Sequence, residues 1–102
     1  MLGVLIVDDD PKIRRVLREI LEPFEHCVFE AANGREALPL VAQHQPGLLI
    51  VDILMPEMDG LETIRFLRRR SYRMPIIAMP GGKGLSSSRI WPEVGRKAPA
   101  SA

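Results

Sequence analysis

Carboxylates stand where buried apolar runs stop. Leu48-Leu49-Ile50-Val51 leads directly into Asp52, and Val4-Leu5-Ile6-Val7 leads into Asp8-Asp9-Asp10. A short continuous apolar run is the pattern of a strand covered on both faces, so each run delivers its acids to the end of a sheet. Asp10 followed by Pro11 has a structural use, because an Asp caps a helix and Pro tolerates its first position. Asp8 and Asp9 have no such use in the sequence pattern. Like charges side by side at a strand end cost stability unless a cation neutralises them, and carboxylate oxygens suit a hard divalent ion. The chemistry suggested by Asp8, Asp9 and Asp52 is therefore metal binding at a strand-to-loop junction, the place where open parallel sheets put their ligand sites.

The elements that must position these acids follow from periodicity. After strand Val4–Val7, the residues Ile13, Val16, Leu17, Ile20 and Leu21 recur at helical spacing and predict an inward face, with Lys12, Arg14, Arg15, Arg18 and Glu19 outward. Pro23 closes that helix. A second strand is expected over Cys27–Ala31, then the Asn33-Gly34 turn and a helix from about Arg35 to Gln43, with Pro39 kinking it or shifting its start. The central strand ends at Asp52. Met55-Pro56 then leaves helical geometry, and Asp59-Gly60 opens a helix with Leu61, Ile64 and Leu67 inward and Glu62, Arg65, Arg68 and Arg69 outward. Ile76–Met79 is a fourth short strand. This alternation of strand and helix predicts an α/β fold built on a doubly wound parallel sheet.

Composition narrows the class. The 102 residues, 46% hydrophobic and 26% charged, suit one small domain with a modest core. Cys27 is the single cysteine, so an internal disulfide is excluded and a reducing, cytoplasmic setting is the simpler expectation. The apolar start meets Asp8 too early for a membrane span or signal peptide. Net charge is +1, yet every acid except Glu93 lies before Thr63, while Arg65 through Lys97 make the later part basic. No aromatic interleaving or DNA-reading motif accompanies these charges, so no direct nucleic-acid contact is expected. His26 and His44 read as surface residues, since neither has neighbours at metal-ligand spacing. Beyond Pro80 the pattern dissolves into a Gly/Ser/Pro-rich tail over residues 80–102, with a brief ordered turn expected only over Arg89–Val94.

These motifs, taken in order over residues 1–79, resemble the receiver domain of bacterial two-component response regulators. The matching pieces are Val4-Leu5-Ile6-Val7-Asp8-Asp9, then Asp52, then Met55-Pro56 with Asp59-Gly60. The resemblance implies a flavodoxin-like fold, here without its fifth strand and last helix. It implies Asp52 as phosphoacceptor and Mg²⁺ held by Asp9, Asp52 and the backbone carbonyl of Leu54, with Asp8 acting mainly through a bound water. A carboxylate attacks phosphorus only when the negative charge on both reactants is offset, which such an ion supplies. The implied donor is a sensor histidine kinase or a histidine phosphotransfer protein. The implied product is an aspartyl phosphate that water later hydrolyses, as in a timed switch.

The sequence departs from the family after the fourth strand. Pro80 stands where receivers place a Ser or Thr that bonds the phosphoryl group, and proline offers neither a hydroxyl nor an amide hydrogen. The family's lysine after a fifth strand has no counterpart, leaving Lys83 as a candidate cationic contact for the phosphoryl group. Gly81-Gly82-Lys83-Gly84 lacks the spacing of a P-loop. An uncovered fourth strand predicts low stability or self-association, and the tail reads as truncated, frameshifted or naturally diverged. Two rival functions remain: a receiver-like docking module that signals without phosphorylation, and a haloacid-dehalogenase-like phosphatase using Asp8-Asp9-Asp10. Lys12 stands where the latter motif expects Thr or Val.

Overall fold

The computed structural model describes residues 2–55 and 59–80. Their elements are β1 (Gly3–Val7), α1 (Pro11–Leu21), a 3₁₀ turn (Glu22–Phe24), β2 (Cys27–Ala31), α2 (Gly34–His44), β3 (Leu48–Asp52), α3 (Gly60–Arg69) and β4 (Ile76–Met79). The four strands are all parallel in the order β2-β1-β3-β4. β1 and β3, the two most apolar runs, are the central pair, because each has neighbours on both edges and helices over its faces. The readings of Pro56, Lys83 and the 81–102 tail, including its expected turn, fall outside the described residues.

Alternation along the strands divides the core. Leu5, Val7, Leu49 and Val51 meet Ala37 and Val41 of α2 and Leu67 of α3 on one face. Val4, Ile6, Ile50 and Met79 form the other, packed against Ile13, Leu17 and Leu21 of α1. The expected inward face of α1 is too wide: Val16 and Ile20 are 51% and 54% exposed. The i, i+4, i+8 stripe of Ile13, Leu17 and Leu21 alone reaches the sheet, and Val16 and Ile20 flank it. Ile77, in register with Ile50 and so on that same face, is 51% exposed. Arg14 and Arg18 are likewise misplaced by the outward assignment, since both are half-buried against β2.

Helix starts follow the local signals. Asp10 accepts a hydrogen bond from the Lys12 amide at 2.9 Å with Pro11 at the first helical position. Asn33 accepts from the Glu36 amide at 2.9 Å, and the Glu36 carboxylate accepts from the Ala32 amide at 2.8 Å. That double clamp holds the start of α2 at Gly34, so Pro39, exposed inside the helix, does not displace it. In α3, Thr63 and Leu67 are buried while Leu61, expected inward, is 47% exposed. Thr63 satisfies its hydroxyl by donating to the Asp59 carbonyl at 2.9 Å, which is how a polar group takes a core position. His26 also departs from the surface assignment: it is half-buried, and its Nδ1 is enclosed without a hydrogen-bond partner. His44 is exposed and stacks on Phe29 with centroids 4.1 Å apart.

Candidate phosphoacceptor and metal site

Register brings the separated acids together. Val7 pairs with Val51, so Asp8 and Asp52 continue adjacent strands at the same level. Carboxylate oxygens of Asp8, Asp9 and Asp52 all lie within 4.8 Å of one another. Asp8 is 0% exposed and Asp52 1%, while Asp9 is half-buried. The loop after β3 is drawn close by a glycine. A Cβ on Gly60 would sit 2.3 Å from the Asp52 carbonyl oxygen, so only glycine lets α3 begin against the end of β3. The Gly60 amide donates to the Ile53 carbonyl at 3.0 Å, and Asp59 caps α3 by accepting from the Glu62 amide at 3.0 Å.

Hydrogen bonding fixes one side of each buried acid. Asp52 Oδ1 accepts from the Leu54 amide at 3.0 Å. Asp8 Oδ1 accepts from the Asp10 amide at 2.8 Å, which corrects the expectation that Asp8 lacks a structural duty. Asp8 Oδ2, by contrast, is enclosed and has no hydrogen-bond partner. Burial pushes the Asp8 carboxyl from 3.8 up to about 6; the Asp10 amide opposes this, and the charges of Asp52, Asp9 and Asp10 add to the rise. A buried carboxylate oxygen without a partner, on one of three clustered and mutually repelling acids, fits a hard divalent cation, whose charge would reverse each of these penalties.

Behind the acids stands a support that periodicity alone does not show. Arg14 donates from Nη1 to the Asp8 carbonyl at 2.6 Å and from Nε to Glu30 at 2.9 Å. Arg18 donates from Nε to the other Glu30 oxygen at 2.6 Å and from Nη2 to the Val28 carbonyl at 3.2 Å. The available signal was the i, i+4 spacing of Arg14 and Arg18, which becomes meaningful only once β2 is known to lie beside β1. Of the remaining residues singled out in the sequence, Leu54 is exposed two positions after Asp52. Pro80 follows Met79, the register partner of Asp52, and is half-buried. Among the described residues, no helix is long and apolar enough to cross a membrane.

Comparison with known proteins places this geometry among relatives. A family model, the response regulator receiver domain, matches residues 4–88. The chain is 36% identical over 88 residues to a probable C4-dicarboxylate response regulator, DctR, of Priestia megaterium, covering 84% of this chain and 39% of that protein. It is 44% identical over 79 residues to the regulatory protein AtoC of Escherichia coli, covering 74% of this chain and 16% of that one. Among solved structures, the chemotaxis protein CheY4 of Vibrio cholerae aligns with a TM-score of 0.74 at 30% identity, over 88% of this chain and 79% of that one. A Francisella response regulator receiver domain aligns with a TM-score of 0.73 at 26% identity, over 82% and 72% of the two chains. The chain spans less than two fifths of the length of these two curated relatives.

Proposed function

We propose, since this chain belongs to the response regulator receiver family, that Asp52 is the acceptor of a phosphoryl group in a two-component phosphorelay. The observation that carries the reading is that carboxylate oxygens of Asp8, Asp9 and Asp52 lie within 4.8 Å of one another, while the enclosed Asp8 Oδ2 has no hydrogen-bond partner. Asp8, Asp9, Asp52 and the carbonyl of Leu54 would hold Mg²⁺. When bound, the ion supplies positive charge to a phosphoryl group approaching an anionic nucleophile. Asp52 then attacks phosphorus in line: its Oδ–P bond forms as the P–N bond of a phosphohistidine breaks, and the departing imidazole nitrogen takes a proton. The Leu54 amide holds one Asp52 oxygen, which orients the carboxylate for attack. Water later cleaves the acyl phosphate and restores the carboxylate.

The donor is a sensor histidine kinase or a histidine phosphotransfer protein. A shallow groove of about 350 Å³ lined by Pro11, Lys12, Arg15 and Val16 opens just after the acidic turn, and its two cations suit a phosphorylated partner. A reducing, cytoplasmic setting agrees with the single Cys27, and self-association through the exposed Val16, Ile20 and Ile77 is part of the same reading. Incubation with acetyl phosphate and Mg²⁺ tests the proposal. Intact mass should show one added phosphoryl group in the wild type and none in Asp52→Asn. An unlabelled wild type at every Mg²⁺ concentration defeats it.

One observation favours a second reading. Pro80 stands one residue past the register partner of Asp52, where it can donate no hydrogen bond to a phosphoryl oxygen. A receiver that accepts phosphorus without reporting it, or one that docks without being phosphorylated, follows from that. Labelling without any change in amide exchange along β4 would identify the former, and absence of label the latter.

A further inference from the structure

The opposite end of the sheet carries a different charge pattern. Residues 65–73 contain Arg65, Arg68, Arg69, Arg70 and Arg73, and no acid occurs from Thr63 to Met79. All five arginines are exposed. Among the described residues, none of these five meets a carboxylate. The negative C-terminal end of α3 accounts for Arg68 and Arg69 in its last turn, but not for Arg65 a turn earlier or Arg73 beyond it.

Two features distinguish this end from a solvated helix face. Arg68 donates to the Tyr72 carbonyl at 2.8 Å, and the Arg70 guanidinium lies 4.5 Å over the Phe66 ring, so two of the cations are already held in place. Beside them runs an open groove of about 500 Å³ between residues 45–47 and 71–75, whose apolar lining includes Pro46, Tyr72, Met74 and Pro75. A second hollow of about 350 Å³ adjoins it, lined by Arg68 and Arg73 with Ser71 and Tyr72. The turn between them is rigidly bonded, with the Ser71 and Tyr72 amides donating to the Arg68 and Leu67 carbonyls at 3.0 Å each. The groove lies where β3 and β4 begin, at the far end of the strands from Asp8 and Asp52.

We propose that this end of the domain docks an acidic protein segment whose apolar side chain seats in the groove between residues 45–47 and 71–75 while Arg68 and Arg73 meet its carboxylates, the other exposed arginines of residues 65–70 adding to the positive field. Nucleic acid suits the surface less well. Base stacking needs an open aromatic face, and here the Phe66 face is taken by Arg70 while Tyr72 packs on the core. An apolar pocket rimmed by arginine is instead the arrangement of a protein-binding anchor site.

The test is fluorescence anisotropy with the full chain and three labelled probes: a short Asp/Glu peptide with a central Leu-Phe pair, the same peptide with Ser-Ser in the centre, and a single-stranded oligonucleotide of matched length. The Leu-Phe peptide should bind most tightly, the Ser-Ser peptide about tenfold more weakly, and Arg68→Glu/Arg73→Glu should weaken the first by about tenfold or more. Both arginines are exposed, so the double variant should keep its circular dichroism and its Asp52 labelling, which separates this surface from the phosphoacceptor. No binding of the Leu-Phe peptide, equal binding of the two peptides, insensitivity to the double variant, or tighter binding of the oligonucleotide each overturns the proposal.

Discussion

Two charged clusters adjoin the C-terminal end of β1, and they resolve their electrostatics in opposite ways. Around Asp8, three carboxylates converge and one buried oxygen is left without a partner, so burial raises the Asp8 carboxyl to about 6. Around Glu30, hydrogen bonds from Arg18 and then Arg14 hold the carboxyl below its ordinary value, against the partial burial that would raise it. Arg14 belongs to both clusters, bonding Glu30 through Nε and the Asp8 carbonyl through Nη1. The difference separates a region whose charges are paired from one whose carboxylates repel one another. Through Arg14, the paired cluster bonds the backbone that carries the unpaired one.

The largest test of that contrast is a pair of pH profiles of unfolding in the absence of divalent ions. Folded Asp8 keeps its proton to about pH 6, the unfolded residue only to 3.8, so the folded state binds that proton more tightly. Its contribution is therefore full below about pH 4 and is lost as the pH rises through about 6. Glu30 runs the other way: its lowered carboxyl stabilises the fold above its ordinary 4.5, and that is lost as the pH falls. Asp8→Asn, which keeps the oxygen that accepts from Asp10, should gain about 2–3 kcal/mol at neutral pH without metal. It should also lose most of the stabilisation that Mg²⁺ gives the wild type. Urea unfolding with and without Mg²⁺ measures both. An Asp8→Asn variant no more stable than wild type in metal-free buffer at neutral pH would mean that the acids are not in tension.

The same contrast explains what could be read in advance. The clustering of Asp8, Asp9 and Asp52 was legible because they follow the ends of two apolar runs, and parallel pairing of those runs sets their ends side by side. Strands Cys27–Ala31 and Ile76–Met79 and the capping role of Asp10 were equally local signals, while Asn33 and Asp59, read as turn residues, cap α2 and α3. The paired cluster was not legible. Periodicity sorts Arg14 and Arg18 onto the polar side of α1, but it cannot say that β2 brings a carboxylate to that side. For the same reason it placed Val16, Ile20 and Leu61 inward, because the width of an apolar stripe does not reveal how much of it a neighbour covers. Thr63 took a core position through a hydrogen bond to the preceding turn, which a hydropathy pattern does not register.

A smaller effect tests the link between the clusters. Arg14→Met removes the donor to Glu30 and to the Asp8 carbonyl together, with an expected cost of about 1–2 kcal/mol in unfolding free energy. If Arg14 also positions the acidic turn, Mg²⁺ affinity followed by the thermal shift should fall about tenfold. Arg14→Lys should recover only part of either, since one ammonium cannot reproduce the two-pronged contact. Lost stability with unchanged Mg²⁺ affinity would make Arg14 a structural residue only.

The smallest effect decides whether the paired region is a network or a set of surface contacts. Arg18 bonds both Glu30 and Glu22, but the two carboxylates differ in setting: the Glu30 side chain is 28% exposed and shared by two arginines, whereas Glu22 is 49% exposed and pairs along the helix at i, i+4. Exposed helical pairs are worth about 0.3–0.5 kcal/mol. Glu22→Gln should therefore shift unfolding by no more than about 0.5 kcal/mol, and that shift should vanish in high salt. Glu30→Gln should cost about 1 kcal/mol or more and keep most of that cost in salt, because it removes the charge and leaves one acceptor oxygen where the two guanidinium groups now each have their own. Equal, salt-sensitive losses from the two substitutions would reduce the Glu30 cluster to ordinary surface pairing, and the hold on Asp8 would then rest on the bond from its amide to the Ala31 carbonyl at 3.0 Å and on the bond that its side chain accepts from the Asp10 amide at 2.8 Å.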